Sequence, residues 1–84
     1  MDTHLKSELI QAIQLAISAD WNGAHQIVQK FNDPYANWIH AVLHKIEGDE
    51  FNSRYWYART FANYGDYKSS QDEWMHLLDL LLKV

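Results

Sequence analysis

His40 and His44 stand four positions apart in "WIHAVLHKIEGDE", and Glu47 follows three further on. On a helix turning about 100° per residue, the three share one sector of the surface. Two imidazoles at that spacing can chelate a divalent ion through their ring nitrogens, and Glu47 can add a carboxylate oxygen. Because imidazole titrates near neutral pH, the same groups can also do acid–base work. A third histidine is brought in by topology. If the helices carrying His25 and His40 run antiparallel across the short "NDP" connection, Phe31 and Tyr35 sit level, and His25 falls at the height of residue 41. His25, His40 and His44 are therefore the candidate metal site, with Glu47 or Trp38 expected at its margin.

Two plainer readings compete with this one. H-x-x-x-H by itself is a weak signal, and the favoured alternative leaves His40 and His44 on a solvated polar face, with His25 bonding a backbone carbonyl. Between the extremes lies a polar ligand pocket that uses no metal.

The second chemical feature is "FNSRYWYARTF", where five aromatics and two arginines fall within eleven residues. The rings spread right around a helix, so one face cannot bury them all, and such a helix is either sandwiched between neighbours or covers a partner. Arg54, Tyr55, Trp56 and Arg59 are candidate contacts for a ligand or partner, since guanidinium groups among rings can stack or grip a carboxylate. Arg stems and Tyr rings also pack as simple amphipathic cover, and aromatic stripes at helical spacing are usually core.

Several function classes are excluded or disfavoured. The sequence has no G-x-S-x-G elbow, no Gly-rich phosphate loop and no H-E-x-x-H. It has no cysteine, which removes thiolate ligands, thiol nucleophiles and disulfides. A formal charge of −4, with seven Lys and Arg spread along the chain, disfavours general nucleic-acid binding, which needs clustered cations. The start "MDTHLKSELIQ" lacks a signal-peptide pattern, and no apolar run is long enough for a membrane span. A cytoplasmic protein without membrane contact is expected.

The elements that must position these residues read as one all-α domain covering 1–84, because apolar residues recur at helical spacing throughout and strand alternation is missing. A first helix is expected after Thr3, with Leu5, Leu9, Ala12, Ile13, Ala16 and Ile17 on its inner face. Asp20 is expected to cap a second helix of about three turns, bearing Ala24, Ile27, Val28 and Phe31. "NDPY" opens a third over 34–47, with Asp33 as cap and Pro34 in the first turn. Gly48 closes it in a left-handed conformation, and Asp49 caps a fourth over 50–62. "NYGDYKSS" is a loop, after which Ser70 and Glu73 form a capping-box pattern opening a fifth helix over 71–83.

"ADWNGAHQIVQKF" and "GDEFNSRYWYARTF" resemble one another about 29 residues apart, pairing Ala24 with Ser53, Ile27 with Trp56 and Val28 with Tyr57. Their small-x-x-x-aromatic spacing resembles part of the tetratricopeptide pattern, although the W-x-x-L-G-x-x-Y half is missing from the third helix. Two tetratricopeptide-like hairpins plus a capping helix are therefore expected. The run Trp38, His40, Ala41, Leu43, His44, Glu47, Gly48, Asp49, Asn52, Tyr55, Trp56, Tyr57, with His25 upstream, also resembles an uncharacterised family of small bacterial all-helical proteins. The resemblance covers about residues 20 to 59 and departs beyond Arg59. It implies a fold and a candidate site, not a reaction.

A chain of 84 residues buries only about 60% of the surface its unfolded form exposes, so its core is marginal. In "QDEWMHLLDLLLKV" the apolar arc is wider than one packed face requires, and a homodimer through this fifth helix is expected. The reading that follows is a small interaction or ligand-binding module with a protein or small-molecule partner. The alternative is a metal-dependent or histidine-based enzyme centred on His25, His40 and His44.

Overall fold

The computed structural model describes residues 1–84 as five α-helices without a strand: α1 (Thr3–Ile17), α2 (Trp21–Val28), α3 (Pro34–Ile46), α4 (Glu50–Tyr57) and α5 (Ser70–Lys83). The all-α architecture of five helices is the one expected. None of them is long and apolar enough to cross a membrane.

Short side chains set the helix starts. The carboxylates of Asp2, Asp20, Asp33 and Asp49 accept from backbone N–H groups of Leu5, Gly23, Ala36 and Asn52, satisfying donors that a first turn leaves free. Pro34 occupies the first turn of α3, where a missing N–H costs nothing. Ser69, not Ser70, caps α5 by accepting from the Asp72 N–H at 3.1 Å. Glu73 is thereby left out of the cap and turns inward, where it is fully buried.

α1 packs on α2 and α3 on α4, forming two hairpins, and their turns repeat. Ala19 and Gly48 both have positive φ, at 68° and 84°. The following Asp20 and Asp49 have nearly equal backbone angles, and their N–H groups reach back to the carbonyls of Leu15 and His44 at 2.8 and 2.9 Å. That six-to-one bond with a left-handed residue before it ends a helix and starts the next in one turn. Burial repeats as well: Ala24 and Ser53 are fully buried, Val28 and Tyr57 are buried, and Ile27 and Trp56 are half-buried. Small residues at the first of these positions let the paired helices approach, and the Ser53 hydroxyl donates to the Ala41 carbonyl at 2.7 Å.

α3 is the central element, in contact with each of the other four helices. Every residue from 36 to 43 is buried, His40 included at 5% exposure. The solvated polar face expected for His40 is thus not there. The side of α3 away from its main apolar stripe is covered by α2 and α4, which a single-helix periodicity does not reveal.

α4 is shorter than expected, ending at Tyr57 instead of reaching 62. The Thr60 hydroxyl donates to the Tyr57 carbonyl at 2.8 Å and accepts from the Ala62 N–H at 3.0 Å, offering the backbone an alternative to helix. The aromatics around α4 divide accordingly: Tyr57 is buried, Trp56 half-buried, and Phe51 and Tyr55 exposed. α5 lies across α1 and α3 and buries Trp74, Leu77 and Leu81 there, while Met75, Leu82 and Val84 stay exposed.

Candidate metal centre

Two helices from different hairpins supply the three histidines. His40 and His44 are one turn apart on α3, and His25 stands on the side of α2 that faces it. The Trp21 indole N–H donates to the Leu43 carbonyl at 2.7 Å, which pins the start of α2 to the end of α3 and makes the pair antiparallel. One turn along α2 from Trp21, the His25 ring stacks on that indole, with centroids 4.8 Å apart and planes 10° off parallel.

The rings then meet. His25 Nε2 and His40 Nε2 are 3.1 Å apart, so one of them carries the proton the other accepts. Ring centroids of His25 and His44 are 5.6 Å apart, and those of His40 and His44 are 4.9 Å apart. One nitrogen from each of the three lies within 4.8 Å of the others, a grouping that could hold a metal ion. Trp56 of α4 forms the far wall, stacked on His40 at 4.0 Å and 14°. Glu47 Oε1 lies 2.6 Å from His44 Nδ1, leaving His44 Nε2 as its unengaged nitrogen.

Burial governs the protonation of the set. His40 is pushed down to about 4, first by burial and then by the neighbouring His25 and His44. His25 is lowered too, by burial and then by His44, with Glu47 opposing. Near neutral pH His40 is therefore uncharged and offers a lone pair, the form of imidazole that binds metal ions. His44, Glu47 and Asp49 form a second close grouping. Its acids are already engaged: Glu47 with His44, and Asp49 with the backbone N–H and side-chain amide of Asn52, which hold its carboxyl below the usual range.

Of the residues singled out in the sequence, the structure brings together His25, His40, His44, Glu47 and Trp56. Tyr55 reaches the group edge-on through Trp56 at 5.2 Å, and the Arg59 guanidinium covers the Tyr55 ring at 3.8 Å. Arg54 is occupied with Glu50 and with the Tyr64 ring. Trp38 is not at the margin of the histidines. It sits about 200° around α3 from His40, and its indole donates to Glu73 at 2.8 Å.

That second polar centre was not anticipated. Glu73 accepts from Trp38, from the Tyr57 hydroxyl at 2.5 Å and from the Lys45 ammonium at 3.0 Å. Lys45 also donates to the Tyr64 carbonyl at 2.8 Å and lies over the Tyr57 and Tyr64 rings. Burial and the adjoining carboxylate push the Tyr57 hydroxyl far above the ordinary phenol value. A signal for Glu73 did exist, because it shares helical register with the core residues Leu77 and Leu81. Trp21 was missed as well, though it stands one turn before His25. Comparison of the chain with protein-family models, with curated proteins and with solved structures found no match.

Proposed function

We propose that this chain is a small ligand-binding module whose ligand is a divalent transition-metal ion, held by His25, His40 and His44 between two tetratricopeptide-like hairpins. The observation that carries the reading is the 3.1 Å separation of His25 Nε2 and His40 Nε2, with a His44 nitrogen within 4.8 Å of both. Zinc–nitrogen bonds of about 2.0–2.1 Å at tetrahedral angles place neighbouring ligand nitrogens about 3.3 Å apart. Two of the three are already close to that spacing. Glu47 on His44 Nδ1 is the carboxylate partner that metal-bound histidines commonly have. An all-nitrogen donor set suits zinc, cobalt, nickel or copper(II), and neither magnesium nor calcium.

The test is calorimetric titration of the chelator-stripped protein with zinc chloride. One ion per chain is expected, and His44→Ala should abolish uptake. Absence of uptake by the parent protein, or unchanged uptake by that variant, rejects the reading.

A second reading, self-association through α5 as a homodimer, is supported by the exposed Met75 and Leu82, two turns apart on its outer side. Light scattering at tens of micromolar protein decides it, a monomer mass being the adverse result.

A further inference from the structure

We infer, resting on the self-association reading, that the surface which receives α5 is α4 of a second copy of this chain. The repeat within the molecule is the first observation. At the offset of about 29 residues, Asn22, Gln26 and Lys30 of the first hairpin correspond to Phe51, Tyr55 and Arg59 of the second, and all six are exposed. The buried positions between them correspond too, Ala24 with Ser53 and Val28 with Tyr57. The fold therefore asks for nothing apolar on this outer line, since the first hairpin fills it with two amides and an ammonium. The second hairpin fills it with a Phe ring 81% exposed and a Tyr ring 46% exposed, and the Arg59 guanidinium lies 3.8 Å from the centre of the Tyr ring. A single exposed ring is ordinary. Two rings one turn apart with a cation beside them form a stripe suited to a partner.

The second observation is the match to α5. Its outer side carries Met75 at 52% exposure and Leu82 at 67%, and between them stands Asp79, whose side chain is 59% exposed. Asp79 accepts from Lys83 through Oδ2, and no bond within the chain uses its Oδ1. Arg59 donates from Nη1 to the Tyr55 carbonyl, which leaves Nε and Nη2 without a partner in the chain. Apolar groups flanking a free carboxylate on one helix thus face apolar groups flanking a free guanidinium on the other.

Helical rise sets the register. Laid antiparallel on α4, α5 of the second copy sets the partner's Leu82 over Phe51. The partner's Asp79 then falls about 4.5 Å along the axis, and the Arg59 guanidinium, held over Tyr55 one turn from Phe51, about 6 Å along. Carboxylate and guanidinium meet at that level. The same direction carries the partner's Lys83 to the end of α4 that holds Asp49 and Glu50, whereas the parallel direction carries it toward Arg59.

Light scattering after size exclusion, on the full chain at tens of micromolar protein, tests this with two variants. Phe51→Asn installs the residue that the first hairpin carries at the equivalent position, and Leu82→Gln changes a side chain on the outer side of α5. Each should unfold within about 4 °C of the parent, as surface changes do. Alone, each should fall to the monomer mass of 9.9 kDa. Mixed one to one, they should return to about twice that mass, because an intact α4 stripe then meets an intact α5 stripe. Arg59→Glu should weaken association at least about tenfold, and adding Asp79→Arg should restore it. If Phe51→Asn associates like the parent, or the mixture stays monomeric, the inference is overturned while self-association through α5 stands. If Phe51→Asn does not fold, the inference is overturned too, since the ring is then cover for the chain's own core. A parent at 9.9 kDa removes the self-association reading and the inference together, and leaves the α4 stripe to a partner other than this chain.

Discussion

Opposite faces of α3 carry two polar centres that answer the cost of burial in different ways. On one face, Lys45 and Glu73 form a closed set: the carboxylate accepts from Trp38, Tyr57 and Lys45, and the ammonium also reaches the Tyr64 carbonyl and two rings. Nothing in it is free to bind another molecule. On the other face, three imidazoles hold six ring nitrogens, of which only His25 Nε2, His40 Nε2 and His44 Nδ1 are engaged within the chain. The closed set ties α3, α4 and α5 together, with the Tyr57–Glu73 hydrogen bond joining α4 to α5, whose backbones do not otherwise come close. The contrast teaches how to separate structure from function in buried polar groups: the bonds of Lys45 and Glu73 anchor several helices, whereas the bond between His25 and His40 lies within the cluster itself, where a bound ion would take its place.

The largest effect should come from breaking the closed set. Lys45→Met leaves Glu73, at 0% exposure, as an uncompensated buried acid and should cost about 3–5 kcal/mol in urea unfolding. His25→Ala in the metal-free protein, which removes one half-buried ring of the open set, should cost less than half of that. Equal losses would erase the distinction drawn between the two centres.

Acid probes the open set next. His40 titrates at about 4 in the fold and 6.5 when unfolded, so between those values the unfolded chain binds the proton more readily. Its contribution is fully present above pH 6.5 and is lost as the pH falls toward 4. At 1.36 kcal/mol per pKa unit, the loss for this 5%-exposed ring is about 3 kcal/mol. Urea unfolding of metal-free protein across that range measures it. His40→Phe keeps a ring against Trp56 without a titrating nitrogen, and its curve should be flatter by that amount; parallel curves would assign the pH dependence elsewhere.

Metal separates the centres most directly. Zinc at 100 times its dissociation constant should raise the unfolding free energy by about 2.7 kcal/mol. The gain should vanish in His44→Ala and persist in Glu73→Gln, because Glu73 lies across α3 from the ligands. A gain lost in both variants would mean that the two faces are one site.

Legibility follows the range of each interaction. The caps Asp20, Asp33 and Asp49 act within three residues, and sequence suffices to place them. The meeting of His25 with His40 was readable because a short connection fixes the relative height of two antiparallel helices. His40's burial was not, since it depends on which sides of α3 other helices cover. Glu73 and Lys45 are 28 residues apart, and no local rule pairs them. The end of α4 was hidden for the opposite reason: the competing bonds of Thr60 are local, but a continuing helical pattern of aromatics masked them.

The smallest expected effect tests why Glu73 is available to the closed set at all. "KSSQDE" offers two serines as the cap of α5, and a Ser70 cap would recruit Glu73 as its capping-box partner three residues on. With Ser69 as cap, the hydroxyl serves the Asp72 N–H, and Glu73 falls one position later, in register with Leu77 and Leu81. Ser69→Ala should therefore cost about 1 kcal/mol and Ser70→Ala no more than a few tenths, since the latter is an ordinary first-turn position. Thermal unfolding of the two variants distinguishes them. The reverse order would place the cap at Ser70, draw Glu73 back to the helix end, and leave Lys45 without the partner on which the contrast between the two faces of α3 depends.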